Sequence, residues 1–515
     1  MRLIYIGFPL TLAMTTAFVS AQEREEPSAA LLPSEVQQSY LEKFANTEPH
    51  LKPRDTADPR NFFANSVEIN RIPEDSIYSD LNVDTIDQPA SALGQILVQI
   101  SPDASEEAVS DLIKRYNFQV VDSEPRIGLL ILSAAASPNF KETFSSAATR
   151  DDGLEDLLVS LKAESIVSAA SRNPLLSPNI LKSAAIPLEA APGFGAASEK
   201  TDWGIGDAKI DPLWPKMESP IKVGVIDVGF ADHEDIIFED GLSHLFPAND
   251  HGNHVSGIAC AIHNNGVGSR GVVPNCTVVR ASGNFVLDSF SPIDQRGIQG
   301  WNALFSEITG TVLDFIDLNP DVKVVNLSLG YNWMPNFSEN PEDADNARLR
   351  DEVRSLGRIH ATVLSYAKRR DVIIVSAAGN DSSSLSQRLD SMWASPFNFG
   401  SRLIESIDGW TNGVIVEAHD DQANVAVFSN QNGHISAPGV NVFSATAVAS
   451  NSYGEMSGTS MASPYVAGAV AMMQSMFPGS SSRELIHCLI NSSDVSSLGT
   501  PRLNLSNAVD LCQGS

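Results

Sequence analysis

The sequence predicts an α/β protein whose larger part is an open, mostly parallel sheet with helices on both faces. Two observations support this class. Beyond residue 200, short apolar runs alternate with amphipathic helical patterns. Each run is rich in Val and Ile, as expected of strands that are covered on both faces. The strand candidates are 221–226, 277–280, 322–327, 372–376 and 413–417, and the helical patterns cover 251–262, 301–318, 348–370 and 463–477.

A smaller α+β unit is predicted before this region, at residues 95–173. Its order of strands and helices is β-α-β-β-α-β, the split βαβ or ferredoxin-like arrangement. Such a unit could be an independent binding domain, and its position also suits a propeptide. The predicted strands are 95–100, 118–121, 127–132 and 166–170, with helices at 105–116 and 154–162.

The first residues resemble a secretory signal. Arg2 provides a basic start, residues 3–19 are mostly apolar but interrupted by Pro9, and small residues end at Ala21. This pattern predicts a signal peptide, residues 1–21, which is removed from an exported protein. No later stretch reaches 18 consecutive apolar residues, so we expect no membrane span. Residues 22–94 are interpreted as a polar extension, and residues 174–200, rich in Pro, Ala and Ser, as a linker.

Composition narrows the class of partner. The 515 residues include 34 Lys and Arg against 63 Asp and Glu, a formal net charge of −29. This excess of acidic residues argues against nucleic acid as a partner, because phosphate binding depends on clustered Lys and Arg. Hydrophobic residues make up 43% of the chain, which is ordinary for a globular protein.

An aspartate and a histidine lie at positions where open α/β sheets usually carry their functional residues. Asp227 directly follows the strand candidate 221–226, and ligands of such sheets bind at the carboxyl ends of strands. Taken alone, Asp227 could orient a histidine, bind a metal or cap the next turn. His251 and His254 share one face of a predicted helix. A zinc pair would need a spacing of four with an adjacent Glu, so His251 is interpreted as a general base and His254 as a structural neighbour.

Two further residues could act on a reacting oxygen. Asn380 follows the strand candidate 372–376, and its NH₂ group could donate to an oxygen that becomes negative during a reaction. The alternative is a turn-forming Asn. Ser460 precedes a helix rich in Ala and Gly, where exposed N–H groups favour developing negative charge. Taken alone, Ser460 could equally be a helix cap.

Together, these residues carry a family resemblance over roughly residues 201–515. The order Asp, His, Ser is that of subtilisin, and Gly458-Thr-Ser-Met-Ala-Ser-Pro464 matches the serine motif of the subtilases in full. The chain therefore resembles a subtilisin-like serine peptidase. The histidine motif departs at Asn253 and Ser256, and Val228 replaces the usual Ser or Thr beside Asp227.

The resemblance implies roles for individual residues. Ser460 would be the nucleophile, His251 the general base and then acid, and Asp227 the residue that orients the imidazole. Asn380 and the Ser460 N–H would form the oxyanion hole. The substrate backbone would pair with the segment at 328–330, facing a second wall at 377–379. The substrate-binding residues implied in this way are Ser328, Leu329, Gly330, Ala378 and Gly379.

The resemblance also implies how the protein works as a whole. We expect a secreted, monomeric serine endopeptidase that cuts proteins or peptides and requires no cofactor. Residues 95–173 would be an inhibitor-type propeptide, and a processing site would lie in the linker at 174–200. The alternative is a catalytically silent subtilase-like binding or chaperone protein, suggested by the substitutions around Asp227 and His254.

Three further features follow from the resemblance. In an exported protein the four cysteines favour disulfides; three pairings exist, and Cys260–Cys276 with Cys488–Cys512 is preferred because each pair is local. Some subtilases bind calcium on the loop where Asp235 and Asn265 stand, but two oxygens fall short of a full ligand set. Residues 331–350 are interpreted as an acidic insertion that either shapes the cleft or is a solvated loop.

Overall fold

The computed structural model describes residues 91–134, 154–178, 199–217, 220–242, 249–274, 276–282, 286–287, 301–334, 338–492 and 494–514. The predicted signal peptide at 1–21 and nearly all of the polar extension at 22–94 lie outside these ranges. Among the described residues, no helix is long and apolar enough to cross a membrane.

The secondary structure alternates as an α/β chain does. The strands are β1 (Ser91–Ile100), β2 (Gln119–Glu124), β3 (Leu129–Ser133), β4 (Val167–Pro178), β5 (Ile221–Ile226), β6 (Phe238–Asp240), β7 (Cys276–Ala281), β8 (Val286–Leu287), β9 (Trp301–Leu304), β10 (Val324–Leu327), β11 (Leu329–Gly330), β12 (Ile373–Ala377), β13 (Gly413–His419), β14 (Ile435–Pro438), β15 (Val442–Ala445), β16 (Tyr453–Met456), β17 (Asp494–Val495) and β18 (Pro501–Arg502). The α-helices are α1 (Glu106–Tyr116), α2 (Leu154–Lys162), α3 (Trp203–Asp207), α4 (Asp250–Cys260), α5 (Phe305–Leu318), α6 (Ala347–Lys368), α7 (Pro396–Asp408), α8 (Thr459–Met476), α9 (Ser482–Asn491) and α10 (Leu505–Gln513).

The larger sheet has the predicted open, mostly parallel form. Its nine strands follow the order β17-β18-β14-β13-β12-β10-β5-β7-β6. Every neighbouring pair is parallel except β17 with β18. The predicted class, an α/β sheet with helices on both faces, is confirmed.

Alternate side chains of the central strands enter two different cores. Val324 packs on the side of α4 and α8, whereas its neighbour Val325 packs on the side of α5, α6 and α7. Ile373 and Ile374 divide in the same way. Successive side chains of a strand point to opposite faces, so a continuous Val- and Ile-rich run is the sequence that a sheet buried on both faces requires.

The smaller unit is an antiparallel sheet of β1 to β4 in the order β2-β3-β1-β4. Its two faces are also apolar. Ile96 and Val98 contact the core formed with α1 and α2, whereas Leu97 joins the core that includes α5 and α6. This sheet therefore has its own helices on one face and the larger domain against the other.

The contact between the two units also contains a buried cation. Arg126 lies just after β2 and is 5% exposed. It forms ion pairs with Asp314 and Asp317 of α5, at 2.7 and 3.0 Å, and with Glu124 at 2.7 Å. A buried charge is costly unless it is paired, so these carboxylates determine how the small sheet sits on α5.

Two predicted bounds of secondary-structure elements are wrong. The last strand of the small unit, predicted at 166–170, ends at Pro178, so the segment predicted as linker from residue 174 begins as a strand. The helix predicted from residue 301 begins at Phe305, because Trp301–Leu304 is strand β9. Both segments are extended because they pair with each other: Leu175 lies opposite Leu304, and Leu176 opposite Ala303. Local composition does not contain that information, since the partner is remote in sequence.

The structure joins the cysteines in the preferred pairs, Cys260 with Cys276 and Cys488 with Cys512. The first bond connects the end of α4 to the start of β7, and the second connects α9 to α10. Each closes a short loop of the chain.

Replacing Cys260 and Cys276 by Ala is expected to lower the free energy of unfolding by about 3 kcal/mol, because the unfolded chain gains the entropy of an open loop. Urea unfolding should be measured in a Ser460→Ala background, which removes self-digestion. The Cys488→Ala/Cys512→Ala pair is the matched control and should lose a similar amount. Unchanged stability in either pair would mean that the corresponding bond does not form.

Candidate active site

The predicted site residues lie together at the end of the parallel sheet where the carboxyl ends of its strands meet. Strands β5, β10 and β12 are neighbours in register, with Asn326 opposite both Val225 and Val375. All three strands run in the same direction, so their carboxyl ends meet. Asp227 follows β5, Ser328 follows β10, and the Ala378–Asn380 segment follows β12.

Asp227 and His251 are joined by a short hydrogen bond. His251 Nδ1 lies 2.7 Å from Asp227 Oδ1, and both side chains are buried. The same Oδ1 accepts a hydrogen bond from the Val228 N–H at 2.8 Å. Asp227 Oδ2 is buried without a hydrogen-bond partner, next to the position where Val228 replaces a hydroxyl residue. The aspartate thus fixes the imidazole through one oxygen.

Helix α4 delivers His251 to Asp227 by close packing. The side chain of Asn249 accepts a hydrogen bond from the His251 N–H at 2.8 Å and caps the helix. A Cβ at Gly252 would stand 2.0 Å from the Gly229 carbonyl oxygen, so only glycine permits this approach. His254 has the structural role expected of it: its Nε2 lies 3.0 Å from the Val442 carbonyl oxygen. Burial lowers the pKa of His254 to about 3.

Ser460 is the second residue of α8 and is fully buried. Its hydroxyl donates to the Ser328 carbonyl oxygen at 3.3 Å. His251 Nε2 is also buried and has no hydrogen-bond partner among the described residues. The Ser460 hydroxyl is therefore directed to the Ser328 carbonyl oxygen in this structure. The Ser460 side chain must rotate toward His251 Nε2 before the imidazole can accept its proton.

The amide of Asn380 is oriented by a residue that the sequence analysis did not single out. Asn380 Oδ1 accepts two hydrogen bonds from Thr459, one from its N–H and one from its hydroxyl, both 2.9 Å long. The Thr459 hydroxyl also accepts a hydrogen bond from the Gly379 N–H at 3.1 Å. These bonds fix the orientation of the Asn380 amide, with its oxygen directed to Thr459. The signal was available, because Thr459 lies inside the matched motif.

The predicted substrate segment is fastened to α8 by a chain of polar contacts. Ser463 Oγ donates to Asn326 Oδ1 at 2.6 Å, and Asn326 Nδ2 donates to Ser328 Oγ at 3.0 Å. The next two residues, Leu329 and Gly330, form strand β11. This short strand is already paired, antiparallel, with the end of β4.

The segment at Ala378 and Gly379, predicted as the second wall of the substrate cleft, is held in place by contacts on its side away from the cleft. Asn430 Nδ2 donates to the Ala378 carbonyl oxygen at 3.0 Å and to Asp381 Oδ2 at 2.7 Å. Gly379 has φ +96°, and a Cβ there would stand 2.5 Å from Asn430 Nδ2. Burial raises the pKa of Asp381 to about 6. Neither Asn430 nor Asp381 was predicted, because their place behind the wall depends on tertiary contacts.

Comparison with known proteins decides the family. Residues 218–511 match the model of the Subtilase family, Peptidase_S8. The chain belongs to the subtilase family. It is 28% identical over 400 residues to the Thermophilic serine proteinase of Bacillus sp. (strain AK1), covering 72% of this chain and 82% of that relative. It is 30% identical over 323 residues to Subtilisin BL of Lederbergia lenta, covering 61% of this chain and 98% of the relative.

A solved structure agrees on the fold. The subtilase is similar to fervidolysin from Fervidobacterium pennivorans, with a TM-score of 0.51 and 18% identity, over 83% of this chain and 63% of that chain. The chain thus spans less than two thirds of fervidolysin, and the likeness concerns the fold alone. From its family and relatives, this subtilase is a serine-type endopeptidase, and its substrates are proteins.

The insertion after β11 is not a solvated loop throughout. Tyr331 and Trp333 are buried and stacked, with ring centroids 4.2 Å apart. Trp333 Nε1 donates to the Trp393 carbonyl oxygen at 2.7 Å, and the Met334 N–H donates to Asp381 Oδ1 at 3.1 Å. The start of the insertion therefore packs against the support of the facing wall.

The two candidate calcium ligands lie together but satisfy each other. Asn265 Nδ2 donates to Asp235 Oδ1 at 2.7 Å, and the Ser269 N–H donates to Oδ2 at 2.9 Å. Calcium takes about six to eight oxygen ligands. Among the described residues, no group of three or more His, Cys, Asp or Glu could hold a metal. These contacts do not define a calcium site, and bound calcium stays a prediction.

Thr459→Val is expected to lower kcat by about tenfold with little change in KM. Loss of the hydroxyl donor leaves the Asn380 oxygen with the Thr459 N–H alone and loosens the amide, and a hydrogen bond contributes on the order of 1 kcal/mol. Thr459→Ser keeps the hydroxyl and should restore most of kcat. Steady-state kinetics on a peptide substrate measure both. A similar loss in the Val and Ser variants would assign the effect to packing rather than to orientation of Asn380.

Proposed function

We propose that this subtilase is made as an exported, self-inhibited precursor that hydrolyses peptide bonds through Ser460, His251 and Asp227. The observation that carries the proposal is the path of β4. This strand belongs to the small sheet at one end and pairs with the substrate segment, beside Ser460, at the other. A chain that blocks its own substrate edge is a precursor.

The reaction follows from the geometry of the site. Ser460 Oγ attacks the carbonyl carbon of the substrate while His251 Nε2 takes its proton. Asp227, 2.7 Å from Nδ1, holds the ring and stabilises its cation. Asn380 and the Ser460 N–H donate to the oxyanion. His251 then protonates the leaving amine, and water hydrolyses the acyl-enzyme by the same steps in reverse.

Side-chain contacts between the small unit and the peptidase also support the role of the small unit as an inhibitor, in addition to the strand at the cleft. Arg126 pairs with Asp314 and Asp317 of α5. Gln99 Nε2, which is buried, donates to the Thr362 hydroxyl of α6 at 2.9 Å. These contacts dock the described parts of the small unit, residues 91–134 and 154–178, on the two helices next to the cleft, as an inhibitor-type propeptide would be docked.

Export and assembly complete the proposal. The predicted signal peptide at 1–21 supports secretion, and so does the relative named Minor extracellular protease Epr of Bacillus subtilis (strain 168), 25% identical over 309 residues. We propose a monomer without a membrane partner. The net charge of −29 argues against nucleic acid as a partner.

A second candidate, a catalytically silent binding or chaperone protein, has one structural argument. The Ser460 hydroxyl donates to Ser328 rather than to His251, and Asp227 Oδ2 is unpaired at the position beside Val228. A silent protein would keep this arrangement permanently. An active enzyme leaves it once the cleft accepts a substrate.

A fluorophosphonate probe separates the two candidates. Processed wild-type protein should form an adduct on Ser460, because the reagent requires an activated serine. The Ser460→Ala variant should remain unlabelled, and mass spectrometry locates the adduct. Processed protein without a Ser460-dependent adduct would refute the peptidase.

Maturation gives an independent test. The purified Ser460→Ala protein should keep the small unit joined to the peptidase, starting at Gln22 if export removes residues 1–21. The wild-type precursor should be cut at a rate independent of protein concentration, because the bond and the nucleophile belong to one chain. Gel analysis over a tenfold dilution measures the rate. Normal maturation of the Ser460→Ala protein without added protease would contradict self-processing.

Arg126→Gln should weaken inhibition by the released small unit by about 30-fold or more. Removing one partner of a buried charge pair at an interface costs about 2 kcal/mol or more, and Asp314 and Asp317 each lose one ion pair. Arg115→Gln is the matched control, since Arg115 pairs with Glu164 inside the small unit and its side chain is 55% exposed. Inhibition constants measured on a peptide substrate should change only for Arg126→Gln.

A further inference from the structure

The predicted substrate segment, 328–330, and the second wall of the cleft both meet the start of helix α8, where Ser460 lies. The Ser328 carbonyl oxygen accepts a hydrogen bond from Ser460 Oγ at 3.3 Å. The Gly379 N–H donates to the hydroxyl of Thr459, the residue before the nucleophile, at 3.1 Å. The P1 residue of a substrate is the one whose carbonyl carbon Ser460 attacks, and its side chain would enter the gap between the substrate segment and the second wall.

A single alanine spans the base of this gap. The Ala394 carbonyl oxygen accepts a hydrogen bond at 3.0 Å from the N–H of Tyr331, the residue that follows the substrate segment. A Cβ added to Gly379 would stand 2.6 Å from Ala394 Cβ, so the methyl group of Ala394 lies against the second wall. Ala394 is fully buried. At this point, the substrate segment and the second wall are therefore separated by the width of one alanine residue.

The turn that carries Ala394 is fixed to the strand that leads into the second wall. Asn398 is buried at the start of α7, and its Nδ2 donates to the carbonyl oxygens of Ala377 at 3.0 Å and Ser391 at 2.9 Å. The Ala394 N–H donates to the same Ser391 carbonyl oxygen at 3.1 Å. Moving the base of the gap outward would break these buried hydrogen bonds, and an unmade buried hydrogen bond is costly.

The start of the insertion closes the far end of the gap. It crosses from the substrate segment to the second wall, since the Met334 N–H donates to Asp381 Oδ1 at 3.1 Å. The rings of Tyr331 and Trp333 are stacked and buried. Trp333 Nε1 donates to the Trp393 carbonyl oxygen at 2.7 Å, on the turn that forms the base. The far end is therefore filled by the protein itself.

The carboxylate at this end is already satisfied. Asp381 is fully buried, and it accepts hydrogen bonds from the Met334 N–H at 3.1 Å and from Asn430 Nδ2 at 2.7 Å. Burial raises the pKa of Asp381 to about 6. A lysine or arginine side chain at P1 would have to displace these donors and bury its own charge. Asp381 therefore does not favour a basic P1 residue.

We propose that Ala394 and the insertion at 331–334 limit the P1 residue to a small uncharged side chain, namely glycine, alanine or serine. The proposal rests on the proposed function, because it assigns the substrate class of the same Ser460 site. Packed interiors resist additional carbon atoms, since a larger side chain forces its neighbours out of their low-energy conformations. Ala394 is the specificity-determining residue, because its methyl group occupies the point where the two sides of the gap come closest.

Peptides that differ only at P1 test the substrate class. With processed enzyme, kcat/KM should be about 100-fold higher for Ala than for Phe or Lys, since a single methylene in an apolar pocket already changes kcat/KM by roughly 10- to 200-fold. A profile that favours Phe or Lys, or a flat profile, on enzyme that is labelled at Ser460 would overturn the assigned class and leave the proposed function standing. Absence of both cleavage and Ser460 labelling would refute the proposed function itself.

Ala394→Gly tests the base of the gap. Ala394 has φ −68° and ψ −26°, a conformation that glycine adopts without strain, so the variant removes one methyl group. The ratio of kcat/KM for 2-aminobutyrate to that for Ala at P1 should rise about tenfold. Ala508→Gly removes a buried methyl group from α10 and is the matched control, which should keep the wild-type ratio. A wild-type ratio in Ala394→Gly would overturn the role of Ala394.

Discussion

The parallel register of β5, β10 and β12 is the constraint on which the rest of the structure depends. Because the three strands run side by side in one direction, Asp227, Ser328 and Asn380 leave the sheet at one edge although about 150 residues separate the first from the last. The two cores on either side keep this register, since a slip by one residue would turn every Val and Ile to the wrong face. The helices α4 and α8 then have only to begin at that edge to bring His251 and Ser460 to it.

Small residues and one threonine set the positions of the site residues relative to one another. Gly252 lets α4 approach the Gly229 carbonyl so closely that His251 reaches Asp227 at 2.7 Å. Thr459 connects the two sides of the site, since it precedes Ser460 in the chain and holds the oxygen of the Asn380 amide. Close backbone contacts and a buried hydroxyl therefore orient His251 and Asn380. These contacts add no charged group to the site.

The small sheet interacts with the larger domain through backbone pairing at the strand edge of the cleft. The edge that would receive a substrate backbone is an unpaired strand edge, and such an edge pairs with any extended chain that reaches it. In the structure, β4 pairs with this edge at β11, while Arg126 holds the small unit on α5. In the self-inhibited precursor that we propose, the pairing that satisfies the edge is the pairing that a substrate would make, so inhibition and substrate binding would use one set of backbone groups.

The sequence alone was enough for the α/β class and for placing Asp227, His251, Asn380 and Ser460 at strand ends or helix starts, because hydrophobic period and motif spacing are local properties. It failed where a partner remote in the chain decides the outcome. The composition of residues 174–178 resembles a linker, and Trp301–Leu304 resembles a helix start, yet each is a strand since it pairs with the other. Asn430 and Asp381 were likewise found only in the folded chain. Backbone hydrogen bonds across the sheet and burial behind the wall are made by tertiary contact, and no window of sequence contains both partners.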